Sequence, residues 1–181
     1  MTDKNFDDLA DRFERNLYGN PRGQIRLQLV TEALLEDSQA ITHGPRLRIL
    51  DAGCGIGQMT GLLASRGHQV VAADVSSVLL ARARERIQQD HKQWLDAIHF
   101  IQAPVQELDR HIEGTFDLVI FHAVLEWLEN PREGLQSLLH WLKPGGELSL
   151  MFYNRHSLVF KNLLRGNFDK IDKENFRGEP G

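Results

Sequence analysis

Only one cysteine occurs in the 181 residues, Cys54. An intrachain disulfide is therefore excluded, and the composition suits a reducing cytoplasm. Long apolar runs are missing as well. The N-terminus, Met1-Thr2-Asp3-Lys4-Asn5-Phe6-Asp7-Asp8, is acidic, and no stretch reads as a secretory signal or a membrane span. Positive charge is not in excess: 21 Lys/Arg face 25 Asp/Glu, a formal net of −4. That removes a global attraction to nucleic acid and leaves room only for a local basic face. The eight histidines show no metal-ligand spacing, so no metal is expected. There is no Gly-x-Ser-x-Gly nucleophile turn, no phosphate loop ending in Gly-Lys-Ser/Thr, no repeat and no low-complexity stretch. What remains, 41% hydrophobic and 25% charged, is the composition of one ordinary globular domain.

Glycine is placed with purpose. Leu47-Arg48-Ile49-Leu50-Asp51 is a short apolar run ending in an acid, and Gly53-Cys54-Gly55-Ile56-Gly57 follows at once. A helical stretch begins near Gln58. Strand, glycine turn and helix make the layout of a nucleotide-type cofactor site, because the glycines permit a tight turn and close ligand approach. The helix beyond them offers unpaired N–H groups and positive dipole.

Apolar periodicity extends the pattern along the chain. Phe6, Leu9, Ala10, Phe13 and Leu17 predict an amphipathic helix over 5–17, broken at Tyr18-Gly19-Asn20-Pro21. A second helix is expected over 23–36, with Ile25, Leu29, Val30, Ala33 and Leu34 inward. Strands are expected over 46–51, 69–74, 97–102, 116–122 and 147–153, with helices over 58–66, 76–89, 104–111 and 131–142 between them. Leu142-Lys143-Pro144-Gly145-Gly146 reads as a turn. Alternating strands and helices predict an α/β fold with a Rossmann-like parallel sheet of five strands and helices on both faces. The expected organisation is N-terminal helices over 1–44 that cover the site, an α/β core over 45–153, and a short helix with a mildly basic, mobile tail over 154–181.

Two details discriminate among nucleotides. The dinucleotide fingerprint is Gly-x-Gly-x-x-Gly, whereas here Gln58 stands where its third glycine would be. Asp51 immediately precedes the turn, where it would repel a pyrophosphate and attract a cationic amino group. S-adenosylmethionine carries such a group and no phosphate. Asp74 lies 23 residues after Asp51 at a strand end, where it either accepts both ribose hydroxyls, the reading the glycine turn favours, or is simply a solvated strand-end acid. Gln106 either meets the adenine edge, with Val105 against the ring, or simply opens a helix. His122, at the end of the fourth strand, faces the cofactor or serves packing. Cys54 reads as a small residue tolerated in the turn rather than a redox thiol.

Asp51-Ala52-Gly53-Cys54-Gly55-Ile56-Gly57, Asp74, Phe116-Asp117-Leu118-Val119 and Leu142-Lys143-Pro144-Gly145-Gly146 resemble, in order, the motifs of class I S-adenosylmethionine-dependent methyltransferases. A narrower resemblance lies in Asn5-Phe6-Asp7-Asp8, Asn16-Leu17-Tyr18-Gly19, Gly23-Gln24-Ile25-Arg26, Phe121-His122-Ala123-Val124-Leu125-Glu126-Trp127, Leu148-Ser149-Leu150-Met151-Phe152-Tyr153-Asn154 and Gly166-Asn167-Phe168-Asp169. These are similar to the bacterial tRNA 5-carboxymethoxyuridine methyltransferases, over residues 3 to 169. The resemblance implies methyl-ester formation on a wobble-uridine carboxylate, with tRNA as partner and S-adenosylhomocysteine as product. By position it implies cofactor contacts from Arg26, Gly53, Cys54, Asp74, Val105, Gln106 and His122. Asp51 and Gly55 join them through the turn. Arg26, which by itself reads as a solvated helix residue, would then pair with the methionine carboxylate. Tyr153 and Asn154, at the end of the fifth strand, either border the substrate or merely pack and turn. No catalytic base is expected. Seven strands are usual in class I methyltransferases and five are counted here, so the chain is expected to lack the last two and to be impaired in catalysis. The competing expectations are a methyltransferase acting on a small-molecule acceptor, a cofactor-binding subunit without catalysis, and a nicotinamide oxidoreductase.

Overall fold

A computed structural model describes residues 7, 10–17, 19–38, 41, 46–90 and 92–172. Two helices come first, α1 (Ala10–Leu17) and α2 (Pro21–Asp37). The α/β core follows as β1 (Arg48–Ala52), α3 (Gln58–Ser65), β2 (Gln69–Asp74), α4 (Ser77–Asp90), β3 (Ile98–Gln102), β4 (Phe116–His122), α5 (Pro131–Leu139) and β5 (Leu142–Met151). Helices α6 (Arg155–Leu164) and α7 (Phe168–Asp172) end the described chain. Short 3-10 turns at Lys92–Ala97, Val105–Arg110 and Leu125–Trp127 join the core elements. Among the described residues, no helix is long and apolar enough to cross a membrane.

All four strand pairings are parallel, in the order β3-β2-β1-β4-β5. The chain winds outward from β1 to β3, then returns to place β4 on the other side of β1. That reversal leaves a crevice beyond the carboxyl ends of β1 and β4, where open α/β sheets bind ligands.

The strands alternate between two cores, as a side-chain period of two requires. Leu50, Val71, Val119 and Phe121 point to one face, where Leu108 and Leu138 cover them. Ile49, Val70, Leu118 and Ile120 point to the other, against Leu34, Met59 and Leu63. Side chains such as Ile49, Leu63 and Phe121, with no exposed surface, contribute roughly 1.5–3 kcal/mol each through burial.

Local chemistry fixes several helix starts. Asn20 caps α2, its side-chain oxygen accepting from Gly23 N at 2.9 Å, with Pro21 in the first turn. The helix therefore begins two residues before the expected Gly23. Its buried stripe also differs from expectation. Ile25 and Leu29 are 57% and 59% exposed and Ala33 is exposed, while Leu34 is buried and Leu27 and Val30 face inward. Two apolar stripes of similar strength run along α2, and the cavity described below takes the one carrying Arg26, Leu27 and Val30. Ser76 caps α4 as expected, accepting from Leu79 N at 3.1 Å.

The main departure lies at 139–147. Helix α5 ends at Leu139 rather than Leu142, and the Lys-Pro-Gly-Gly stretch is not a free turn. It is a bulge within β5: Leu142 pairs with Phe116, and the next pair is Glu147 with Leu118. Lys143 Nζ bridges to Asp117 Oδ1 at 2.7 Å, pinning the bulge to β4. Strand β5 ends at Met151, before the expected Tyr153. The segment after Asn154 holds more helix than its composition implies, in α6 and α7. Of the expected first helix, Phe6 and Leu9 lie outside the described residues, as does 173–181 of the tail.

Candidate functional site

The turn after β1 is built from backbone bonds. Gly53 N and Cys54 N both donate to Ala73 O, at 2.8 and 3.0 Å, tying the end of β1 to the end of β2. Gly57 N donates to Cys54 O at 2.9 Å and closes the loop. Gly53, Gly55 and Gly57 have φ of 79°, 54° and 72°, the left-handed region that favours glycine. Space is equally strict at Gly53, where a Cβ would lie 2.3 Å from Val124 Cγ2.

Asp74 stitches two loops together. One carboxylate oxygen accepts from Gly55 N at 2.8 Å and the other from Ser76 N at 2.9 Å. Each oxygen keeps acceptor capacity for a further donor. Burial pushes its carboxyl above the usual carboxylate range, and the backbone N–H groups of Ser76, Gly55 and Val75 oppose that rise. Asp51 is 4% exposed and accepts from Thr60 Oγ1 at 2.6 Å. Burial drives its pKa up to about 6, against the Thr60 bond, and the nearby Asp74 carboxylate adds to the rise.

These groups open on one cavity at the crevice between β1 and β4. All nine residues expected to hold a cofactor line it: Arg26, Asp51, Gly53, Cys54, Gly55, Asp74, Val105, Gln106 and His122. Arg26 comes from α2 and makes no ion pair with a described acid. Val75, Leu79, Ala103, Pro104 and Val105 form an apolar stretch beyond Asp74. His122 Nε2 lies 2.8 Å from Ser149 Oγ, and burial lowers its pKa to about 4, so the imidazole is neutral at neutral pH. Ala123 beside it has φ of 56°, the one positive value at a non-glycine among the described residues. The Cys54 thiol is buried and its pKa is pushed well up, the opposite of what a reactive thiolate needs.

Tyr153 and Asn154 do not line this cavity. Asn154 caps α6 instead, accepting from His156 N at 2.8 Å, and the Tyr153 backbone N–H donates to the Glu126 carboxylate. Leu27, Val30, Met59 and Leu128 also line the cavity and lie outside the sequence motifs, while Trp127 and Met151 lie within them but are not among the expected contacts. Val75 and Met151 were recoverable, since each sits at the carboxyl end of a strand. Gln58 is a further addition. Its Oε1 is buried without a hydrogen-bond partner among the described residues.

Residues 50–150 match the family described as "Methyltransferase domain". The chain belongs to that family. Among curated relatives, it is 45% identical over 172 residues to the tRNA 5-carboxymethoxyuridine methyltransferase of Escherichia coli (strain K12), covering 94% of this chain and 64% of the relative. The chain thus spans somewhat under two thirds of that relative's length. Two solved structures share the fold. One is the N-methyltransferase NodS from Bradyrhizobium japonicum WM9 in complex with S-adenosyl-l-homocysteine, at 24% identity, TM-score 0.61, over 80% of this chain and 71% of that one. The other is magnesium protoporphyrin IX methyltransferase from Synechocystis PCC 6803 with bound SAM, at 23% identity, TM-score 0.61, over 76% and 68%. The five-stranded parallel sheet with helices on both faces is therefore a methyltransferase fold; the alternation of strands and helices implied the sheet, and the motif resemblance implied the family.

Proposed function

We propose that the cavity binds S-adenosylmethionine and that the chain serves methyl transfer to the carboxylate of 5-carboxymethoxyuridine at the tRNA wobble position. The 45% identity across 94% of the chain carries this reading. The donor set supports the cofactor. Asp74 offers two acceptors for a ribose diol, the apolar stretch from Val75 to Val105 suits an adenine ring, and Asp51 and Arg26 carry the charges opposite to an ammonium and a carboxylate.

A bound S-adenosylmethionine would supply an activated methyl for the acceptor oxygen, with the electron pair of the S–CH3 bond left on sulfur. The chain's own residues then have three tasks. Arg26 would hold the carboxylate and Asp51 the ammonium of the amino-acid portion, and Asp74 the ribose hydroxyls, groups that lie on either side of the sulfur. His122, kept neutral by burial, adds no positive charge that would repel a sulfonium. Val124, Trp127, Leu128 and Met151 exclude water at the crevice. A carboxylate acceptor has a pKa near ~4 and is already ionised at neutral pH, so no base is required. Alignment of two held reactants can lower the barrier by roughly 7–11 kcal/mol.

Nucleoside analysis of tRNA incubated with methyl-labelled S-adenosylmethionine tests the reading. A labelled, base-labile ester at the wobble uridine is the expected product. Label on another nucleoside, or none with cofactor bound, would reject it.

A pH prediction follows from Asp51. Its carboxyl pKa, about 6, lies above the unfolded value of 3.8. Its contribution to the free protein's stability is therefore complete below 3.8 and is lost as pH rises through about 6. A cationic ligand reverses that loss by favouring the ionised form. Affinity for S-adenosylhomocysteine, whose amino group stays cationic over this range, should therefore rise about tenfold from pH 5 to pH 7.5. Calorimetric titration of Asp51→Asn should show the rise abolished. A rise that survives in Asp51→Asn would move the effect to Asp74, since His122 is neutral across this window.

A further inference from the structure

Helix α6 wears its apolar residues outward. Phe160, Leu163 and Leu164 are 63%, 47% and 73% exposed, and Phe168 at the start of α7 is 59% exposed. Lys161 and Arg165 flank this stripe, both exposed, and neither makes an ion pair with a described acid. The surface begins at the cavity: Met151 lines it, and Phe152 and Tyr153, 57% and 47% exposed, follow directly. Charge is segregated in the same way. Residues 155–181 hold six Lys/Arg against four Asp/Glu, a net of +2, while residues 1–154 hold fifteen against twenty-one, a net of −6.

Exposed aromatics interleaved with exposed cations, beside an otherwise acidic body, suit a single-stranded nucleic acid. Its bases stack on aromatic faces and its phosphates take the cations. A purely apolar partner would leave Lys161 and Arg165 without counter-charge, and the acidic body would repel a phosphate chain elsewhere. Resting on the tRNA reading above, we infer that the α6–α7 face is the surface that docks the single-stranded loop of the substrate RNA and leads it to the cavity mouth. Phe160 serves as a stacking platform, and Lys161 and Arg165 as phosphate contacts.

The test uses the whole chain with a fluorescently labelled anticodon stem-loop, followed by anisotropy at 50 and 200 mM salt. Lys161→Glu/Arg165→Glu should weaken binding at least tenfold and reduce the slope of log K against log salt by about one to two. Phe160→Ala should cost about tenfold, with the slope unchanged. Calorimetric affinity for S-adenosylhomocysteine should be unaltered in both, which shows that they fold. RNA binding equal to wild type in the charge-reversed variant overturns the surface. If that same variant still labels tRNA at the wild-type rate, the tRNA reading survives that failure. Failure of the wild-type chain to bind or label any RNA removes both. A sedimenting dimer that dissociates on Phe160→Ala, with RNA binding untouched, gives the face to a second copy of the chain and likewise overturns the proposal.

Discussion

Asp74→Ala should weaken binding of S-adenosylhomocysteine by about 2–3 kcal/mol, roughly 30- to 150-fold in Kd by calorimetry. Two causes combine. The ribose loses charge-assisted acceptors, each worth about 1.5–3 kcal/mol. Gly55 N and Ser76 N, held by the carboxylate at 2.8 and 2.9 Å, also lose their partner, which loosens the loops after β1 and β2. A ligand comparison separates the causes. Adenosine and its 2′,3′-dideoxy form should differ in affinity for the wild type and converge for Asp74→Ala. If the variant still prefers the diol by the wild-type margin, the ribose contact lies elsewhere and the loss is one of loop order.

The parts of this fold that could be read from the residues are those decided locally. Strands β2 and β4 fall on their expected limits because each is built on a continuous apolar run, 70–73 or 118–121, that follows Gly67 or Gly114 and ends in Asp74 or His122. Asp51, Asp74 and His122 were recognisable for a related reason: a parallel sheet with a reversal in strand order gathers its strand ends at one crevice. Distant packing decides the rest. Lys143-Pro144-Gly145-Gly146 has turn chemistry, yet β4 lies beside it. A Cβ at position 146 would sit 3.1 Å from the Phe116 carbonyl oxygen, so the glycine lets the bulged backbone close against the sheet. Nothing within the segment signals that neighbour. The same holds for α2. Its two apolar stripes are nearly equivalent as sequence, and only the cavity selects the one with Arg26, Leu27 and Val30. Arg26 reads as a solvated arginine until that choice is made. Asn154, by contrast, behaves as its residue type dictates, as a helix cap, and its substrate role gains no support from the cavity.

Gly53→Ala should be strongly damaging, and a comparison with Gly67→Ala shows why. Both glycines have φ in the left-handed region, 79° and 91°, so alanine at either position costs about 1–2 kcal/mol of backbone strain. The surroundings differ. A Cβ at Gly67 meets nothing within 4 Å, whereas at Gly53 it would lie 2.3 Å from Val124 Cγ2. Relieving that overlap costs about 1–3 kcal/mol more and moves either the turn after β1 or Val124 in the cavity wall. The sum, about 2–5 kcal/mol, is a large part of a typical domain's stability of roughly 5–15 kcal/mol. For a chain of 181 residues it corresponds to a fall in Tm of roughly 4–20 °C by calorimetry. Gly67→Ala should lose only the strain and keep full cofactor affinity. Adding Val124→Ala to Gly53→Ala should recover the packing part of the loss while leaving the strain. Equal Tm values for Gly53→Ala and Gly67→Ala would show that the turn yields without cost, and the close approach of Gly53 to Val124 would then play no part in shaping the site.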